Sequence, residues 1–336
     1  MTAVVRTVLG DVDPAELGVT YAHEHLVIEA GRATALAPDL LLADLDRMTA
    51  ELADAARAGL ATAVDAMPCD VGRNPSGLAE LSRRTGVRIV ASTGLHHERF
   101  YGPGHWSARA TVEELADLFV ADVEEGIDAL DYGGPVVRRT PHRAGVIKVA
   151  GSDAGPSDRD RPIFVAAAEA HARTGVPILT HCEHGTGALE QVRLLADCGV
   201  RPASISLSHV DKVVDRGYQR EIAASGAFAV HDQAFRWGDA PNGTLRLLEW
   251  ALEDGRLDQV LLATDAARQG YLRAYGGTPG LDVLLRGFSK QMAEHGLDEA
   301  ARRQVFVANP ARAFAFAARA APAFTLPATT EPLLNQ

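Results

Sequence analysis

Six residues of this 336-residue chain have the types and settings of metal ligands: His23, His25, Lys148, His181, His209 and Asp265. His23 and His25 stand two apart in TYAHEHL. In an extended strand such residues point the same way, so both imidazoles can reach one ion. His181 follows the apolar run of VPILTHCEHG, His209 that of SISLSHVDK, and Asp265 that of QVLLATDAAR. Together they offer nitrogen and oxygen donors suited to zinc, manganese or cobalt. Each alone is a weak signal, because a lone strand-end histidine is more often a packed residue. Their joint placement carries the argument.

Lys148 needs separate reasoning. Only three of the 33 basic residues are lysines, and Lys148 lies in the apolar run AGVIKVAG. A buried ammonium is costly to desolvate, so its pKa falls and the free amine becomes available. A neutral amine can combine with carbon dioxide to give a carbamate, N6-carboxylysine, which can bridge two cations as a carboxylate would. The competing reading is a buried ion pair with Asp265, which burial makes costly.

The elements that must position these residues are short apolar runs alternating with longer amphipathic segments. The runs predict strands at Val19–Ala22, Thr62–Ala66, Arg88–Ser92, Gly145–Val149, Val176–Thr180, Ser204–Ser208, Phe228–Val230 and Val260–Ala263. Helical periodicity covers Leu40–Ala58, Val112–Asp128, Pro162–Thr174, Ala188–Cys198 and Thr244–Asp254, with glycine stop signals such as Gly86 and Gly175. Strand–helix alternation without hairpin signals implies parallel pairing. Eight units point to a single (β/α)8 TIM-type barrel over residues 19–319, with a doubly wound sheet as the alternative. Residues 1–18 read as a short N-terminal hairpin, and residues 320–336, rich in Ala, Pro and Thr, as a loosely packed tail. In such a barrel the C-terminal strand ends meet on one face, where the six candidates would gather.

Bulk properties narrow the function classes. The net charge of −11 with scattered acids argues against a general nucleic-acid binder. No apolar run reaches the roughly 18 residues of a membrane span, and the start lacks a signal-peptide pattern, so a cytoplasmic protein without membrane association is expected. Cys69, Cys182 and Cys198 form no CxxC and no paired framework. No GxSxG nucleophile elbow is present.

The motifs GVTYAHEHL, VIKVAGS, PILTHCEHGTGALEQ, SHVDK and ATDAARQGY carry a resemblance to the phosphotriesterase-like family of the amidohydrolase superfamily, from about Gly10 to Phe316. The resemblance implies a binuclear hydrolase. By that pattern His23, His25 and Asp265 hold the buried ion, His181 and His209 the exposed one, and carboxylated Lys148 bridges them. Two ions about 3.5–4 Å apart would then share an attacking hydroxide, with Asp265 moving its proton to the leaving group. A homodimer fits the same family.

Substrate choice falls to the loops after strands seven and eight, HDQAFRWGDAPNG and DAARQGYLRAYGGTPG. Arg236, Arg268 and Tyr271 are the candidate substrate-binding residues, suited to a phosphate monoester through charge-assisted bonds. The set resembles a branch of the family that opens lactone rings of phosphorylated sugars, with Arg236 in place of that branch's lysine. A lactonase acting on phosphorylated sugar 1,4-lactones is therefore the leading expectation, and its small-molecule substrate is anionic. Organophosphate triester or N-acyl amide cleavage at the same metals is the alternative, and a non-catalytic binding module the least favoured. The bland reading makes the two arginines solvated residues paired with Asp232 or Asp239. His96 and His97 are candidates for the pocket wall and Asp211 for orienting His209. Trp106 and Trp237 read either as an apolar wall or as loop anchors, and His184 falls outside the ligand set.

Overall fold

The computed structural model describes residues 2–317, so the tail at 320–336 lies outside the described residues. The predicted hairpin forms from β1 (Val5–Thr7) and β2 (Gly10–Val12), antiparallel with Val5 opposite Val12. Eight parallel strands follow: β3 (Thr20–Glu24), β4 (Thr62–Asp65), β5 (Arg88–Gly94), β6 (Ala144–Gly151), β7 (Ile178–Cys182), β8 (Ile205–Ser208), β9 (Phe228–His231) and β10 (Val260–Leu262). They pair in chain order. β10 returns to β3, where the Asp265 amide donates to the His23 carbonyl at 3.0 Å, and a nearly closed barrel results.

Alternation along the strands sorts side chains into two layers. Ala22, Val64, Val90, Val146, Leu179, Val230 and Leu261 fill the barrel interior, and Val5, Leu17 and Phe314 pack with them. Ile147, Val149 and Ala229 join the outer layer beneath the helices. Lys148, two residues beyond inward-facing Val146, therefore points into the barrel from the C-terminal half of β6.

Helices Leu45–Arg57, Pro75–Thr85, Val112–Glu124, Asp160–Thr174, Ala188–Asp197, Arg216–Ser225 and Gly243–Glu253 surround the sheet. Periodicity alone places the first of these from Leu40. The helix begins at Leu45 instead because Asp44 caps it, accepting from the amides of Asp46 and Arg47 at 3.1 and 3.0 Å. Thr111 and Glu114 close a capping box at the start of Val112–Glu124. That helix ends four residues short of the predicted Asp128. Among the described residues no helix is long and apolar enough to cross a membrane.

Candidate active site

At the C-terminal mouth of the barrel lies a cavity of about 150 Å³ whose wall includes His23, His25, His181, His209 and Asp265. β3 enters with a register irregularity against β4 between Tyr21 and Glu24, which interrupts strict alternation beside His23. His25 lies one residue past the strand. Buried Asp65 fastens the turn there by accepting from the Leu26 amide at 2.7 Å and the Met67 amide at 3.2 Å. Both rings reach one carboxylate: Asp265 Oδ1 stands 3.2 Å from His25 Nε2 and 3.7 Å from His23 Nε2.

Asp265 and His209 share an unusual backbone. Both adopt the left-handed region, with φ of 47° and 68°, a conformation that non-glycine residues hold only when their surroundings enforce it. For Asp265 the enforcement comes from Glu24, whose buried carboxylate accepts from the Thr264 amide at 2.6 Å and from the Thr264 hydroxyl. Arg236 adds to it by donating to the carbonyls of Thr264 at 2.8 Å and Asp265 at 2.6 Å. For His209 the backbone amide donates to Asp232 Oδ2 at 3.2 Å.

Lys148 is buried, and its Nζ lies 3.5 Å from His23 Nε2. Among the described residues it forms no ion pair with Asp265, so the competing reading of a Lys148–Asp265 pair is not realised. Burial lowers its pKa to about 8. Gly94 pairs with Lys148, and a Cβ there would come within 1.9 Å of the Lys148 carbonyl oxygen. Only glycine lets β5 approach β6 at this point.

The second pair of histidines meets across the cavity: His181 Nδ1 and His209 Nε2 are 2.9 Å apart. Burial lowers His181 well below the ordinary imidazole range and lowers His23 to about 3, so both rings stay neutral at neutral pH. Neutral imidazoles present lone pairs. On Asp265 burial pushes the pKa upward, but the His25 hydrogen bond and the nearby charges outweigh it and keep the carboxyl ionised. Ligands about 2.1 Å from a common ion stand roughly 3–3.5 Å apart. The spacing of His25, His23 and Asp265, and of His181 and His209, therefore fits divalent cations. The donor chemistry fits as well.

Several contributors carry no motif. His209 is oriented by Asp232, which accepts from Nδ1 at 3.0 Å, and not by Asp211. Asp211 works one step further out, accepting from the amides of Asp232 and Gln233 and from the Thr244 hydroxyl. Glu183 accepts from His181 Nε2 at 2.9 Å and lies 3.0 Å from His97 Nε2. These hydrogen bonds hold its carboxyl below the usual range. Asp232 and Glu183 each stand beside or two residues after a strand-end histidine, HD and HCE, and that adjacency was the available signal.

The substrate-side candidates divide. Arg236 stacks between Phe235 and Tyr271, 4.4 and 5.0 Å from the ring centroids, with its donors turned to backbone carbonyls. Tyr271 packs edge-on against Phe235. Arg268 is half exposed and pairs with Asp39 at 2.6 Å, not with Asp232 or Asp239. Arg99 and Lys212 stand on the cavity wall, with Ile28, Leu40 and Phe100 as its apolar part. His96 also lines the cavity. Trp106 and Trp237 are not on that wall; they bond Asp70 and Thr244, as loop anchors do. His184 is exposed and bonds Asp153.

The model of the phosphotriesterase family matches residues 3–314. A phospho-furanose lactonase of Mycoplasmopsis synoviae is 33% identical over 93% of this chain and 91% of its own. Among solved structures, an amidohydrolase from Mycoplasma synoviae superposes with a TM-score of 0.91 at 30% identity, covering 94% of this chain and 93% of its own. A lactonase from Listeria monocytogenes gives 0.84 at 30% identity, covering 94% and 99%. Sequence motifs and barrel agree with these likenesses, and the chain belongs to the phosphotriesterase family.

Proposed function

We propose that this protein is a binuclear-metal-dependent lactonase that opens phosphorylated sugar 1,4-lactones. The observation that carries the metal part is the convergence of four imidazoles and Asp265 on one cavity, with buried Lys148 3.5 Å from the His23 ring. His23, His25 and Asp265 would hold one ion, His181 and His209 the other. Lys148 would join them as N6-carboxylysine, formed when its neutral amine adds to carbon dioxide and releases a proton. Zinc, manganese and cobalt all suit this donor set. When bound, such ions polarise a carbonyl oxygen and lower the pKa of water toward neutrality.

The remaining work belongs to the chain. Asp265, ionised and held by Glu24 and Arg236, accepts a proton from the attacking water and returns it to the ring oxygen as the ester C–O bond breaks. A hydroxyl and a carboxylic acid result, and the acid ionises to a carboxylate with release of one proton. Ile28, Leu40 and Phe100 exclude water from one side of the cavity. Similarity to a phospho-furanose lactonase supports the substrate class. Arg268, with one carboxylate partner and half its surface exposed, is free to exchange Asp39 for a phosphate. Arg236 supports the same site indirectly, by fixing Asp265 and backing Tyr271.

The test is a pH-indicator rate assay on manganese- or zinc-loaded protein with five-membered sugar lactones, with and without a 5-phosphate. A marked preference for the phosphorylated ring is expected. Equal rates would remove phosphate from the proposal. Absence of turnover on both would turn attention to acyl amides and phosphotriesters.

A further inference from the structure

Asp232 is fully buried at the end of β9 and faces one histidine from each ligand set. Its Oδ2 stands 2.9 Å from His209 Nδ1 and 3.5 Å from His23 Nδ1. The opposite nitrogens of the same rings face the cavity: His209 Nε2 toward His181, and His23 Nε2 toward Asp265 and Lys148. A ring that gives its Nδ1 proton to a carboxylate keeps its Nε2 lone pair free for an ion. One carboxylate is therefore placed to set the tautomer of two rings, each in a different proposed ligand set.

The setting is built for that task. His23 Nδ1 is buried and has no hydrogen-bond partner, and the Asp232 carboxylate stands within reach of it at 3.5 Å. Asp232 is itself fixed: Gln233 Nε2 donates to its Oδ1 at 2.6 Å, and its backbone amide donates to buried Asp211 at 3.1 Å. The His209 and His23 rings lie 4.9 Å apart between their centroids, so a shift of one bears on the other.

We propose that Asp232 is a positioning residue that couples the two metal sites, aligning His23 of one and His209 of the other through a single carboxylate. The inference rests on the binuclear reading above and adds an interaction between the two loading steps. Because the His209 contact is shorter, loss of Asp232 weakens the His181/His209 ion more, and the His23/His25/Asp265 ion as well.

Metal-free protein would be titrated with cobalt(II), following heat and the visible absorption of bound ion, with thermal melting of the metal-free form as the folding control. Wild-type protein should bind two ions per chain; fewer would count against the binuclear reading itself. Asp232→Asn should bind the ion of the His181/His209 site about 10–100-fold more weakly and split the titration into separate steps. In a His181→Ala background, which leaves the other site intact, Asp232→Asn should still weaken the remaining ion by about tenfold. Unchanged affinity in that background would overturn the coupling, even if the His209 side responds. Should Asp232→Asn fail to fold, Gln233→Ala loosens the carboxylate while keeping it. A smaller shift of both sites in the same direction is then expected, and no shift at either would overturn the proposal.

Discussion

His23, Lys148 and His209 are 1–2% exposed and sit on strands or within one residue of them, whereas Arg268 is 47% exposed on a loop and tied to one carboxylate. His23 and His209 line the cavity, Arg268 is not among its lining residues, and the two settings obey different constraints. A metal ligand has to be held to a fraction of an ångström, and buried Glu24, Asp65, Asp232 and Gly94 would do the holding for the proposed ligands. A residue that reads substrate can wait in a solvated ion pair, since exposed pairs cost little to exchange. Arg236 stands between the regions: it lies in the loop after β9, yet its fork holds the backbone of Asp265, a proposed ligand.

Substitutions that separate the regions test this contrast. The largest effect belongs to Asp265→Asn. It would remove the proposed proton acceptor and a proposed ligand together, and kcat should fall about 10²–10⁴-fold on any lactone, phosphorylated or not. A loss limited to one substrate class would place Asp265 with recognition. Arg268→Ala should raise KM for the phosphorylated lactone about 10–100-fold, the worth of a charge-assisted pair, and leave the unphosphorylated analogue nearly unchanged. Parallel changes for both substrates would show that Arg268 does not read phosphate. Arg236→Lys keeps the charge but gives up the fork, leaving buried carbonyls without a donor. Chemical denaturation should register a loss of about 1–3 kcal/mol, unlike Arg268→Ala, whose exposed pair contributes about 0–1 kcal/mol.

The same contrast marks what could be read from sequence. All eight barrel strands are visible as apolar runs, because a strand buried on both faces has to be apolar throughout. The six ligand candidates stand out because a polar side chain at the end of such a run is costly without a task. Asp232 and Asp211 were harder to assign. Both follow strand-end histidines, and only the tertiary arrangement decides that Asp232 bonds His209 while Asp211 holds the backbone behind it. Arg236 was legible as a loop arginine, but its carbonyl partners lie up to 29 residues away in sequence. The Asp39 partner of Arg268 is 229 residues away, across the β10–β3 closure, and no local pattern announces it.

A smaller effect concerns how the site assembles. Burial lowers the Lys148 ammonium to about 8. The neutral amine needed for carbamate formation therefore grows about tenfold per pH unit below that value and levels off above it. At a fixed concentration of dissolved carbon dioxide, reactivation of metal-free protein by metal should climb from about pH 6 to about pH 8 and then flatten. A rate indifferent to pH over this range would contradict the free-amine route.

The most direct test of the account is carbon-13 NMR of metal-loaded protein supplied with labelled bicarbonate, read beside the metal content of wild type and Lys148→Met. The account predicts a carbamate resonance and two ions per chain in wild type, with both the resonance and tight two-ion binding lost in the variant. Two tightly held ions and full activity in Lys148→Met, or a two-ion wild type with no carbamate signal, would contradict it.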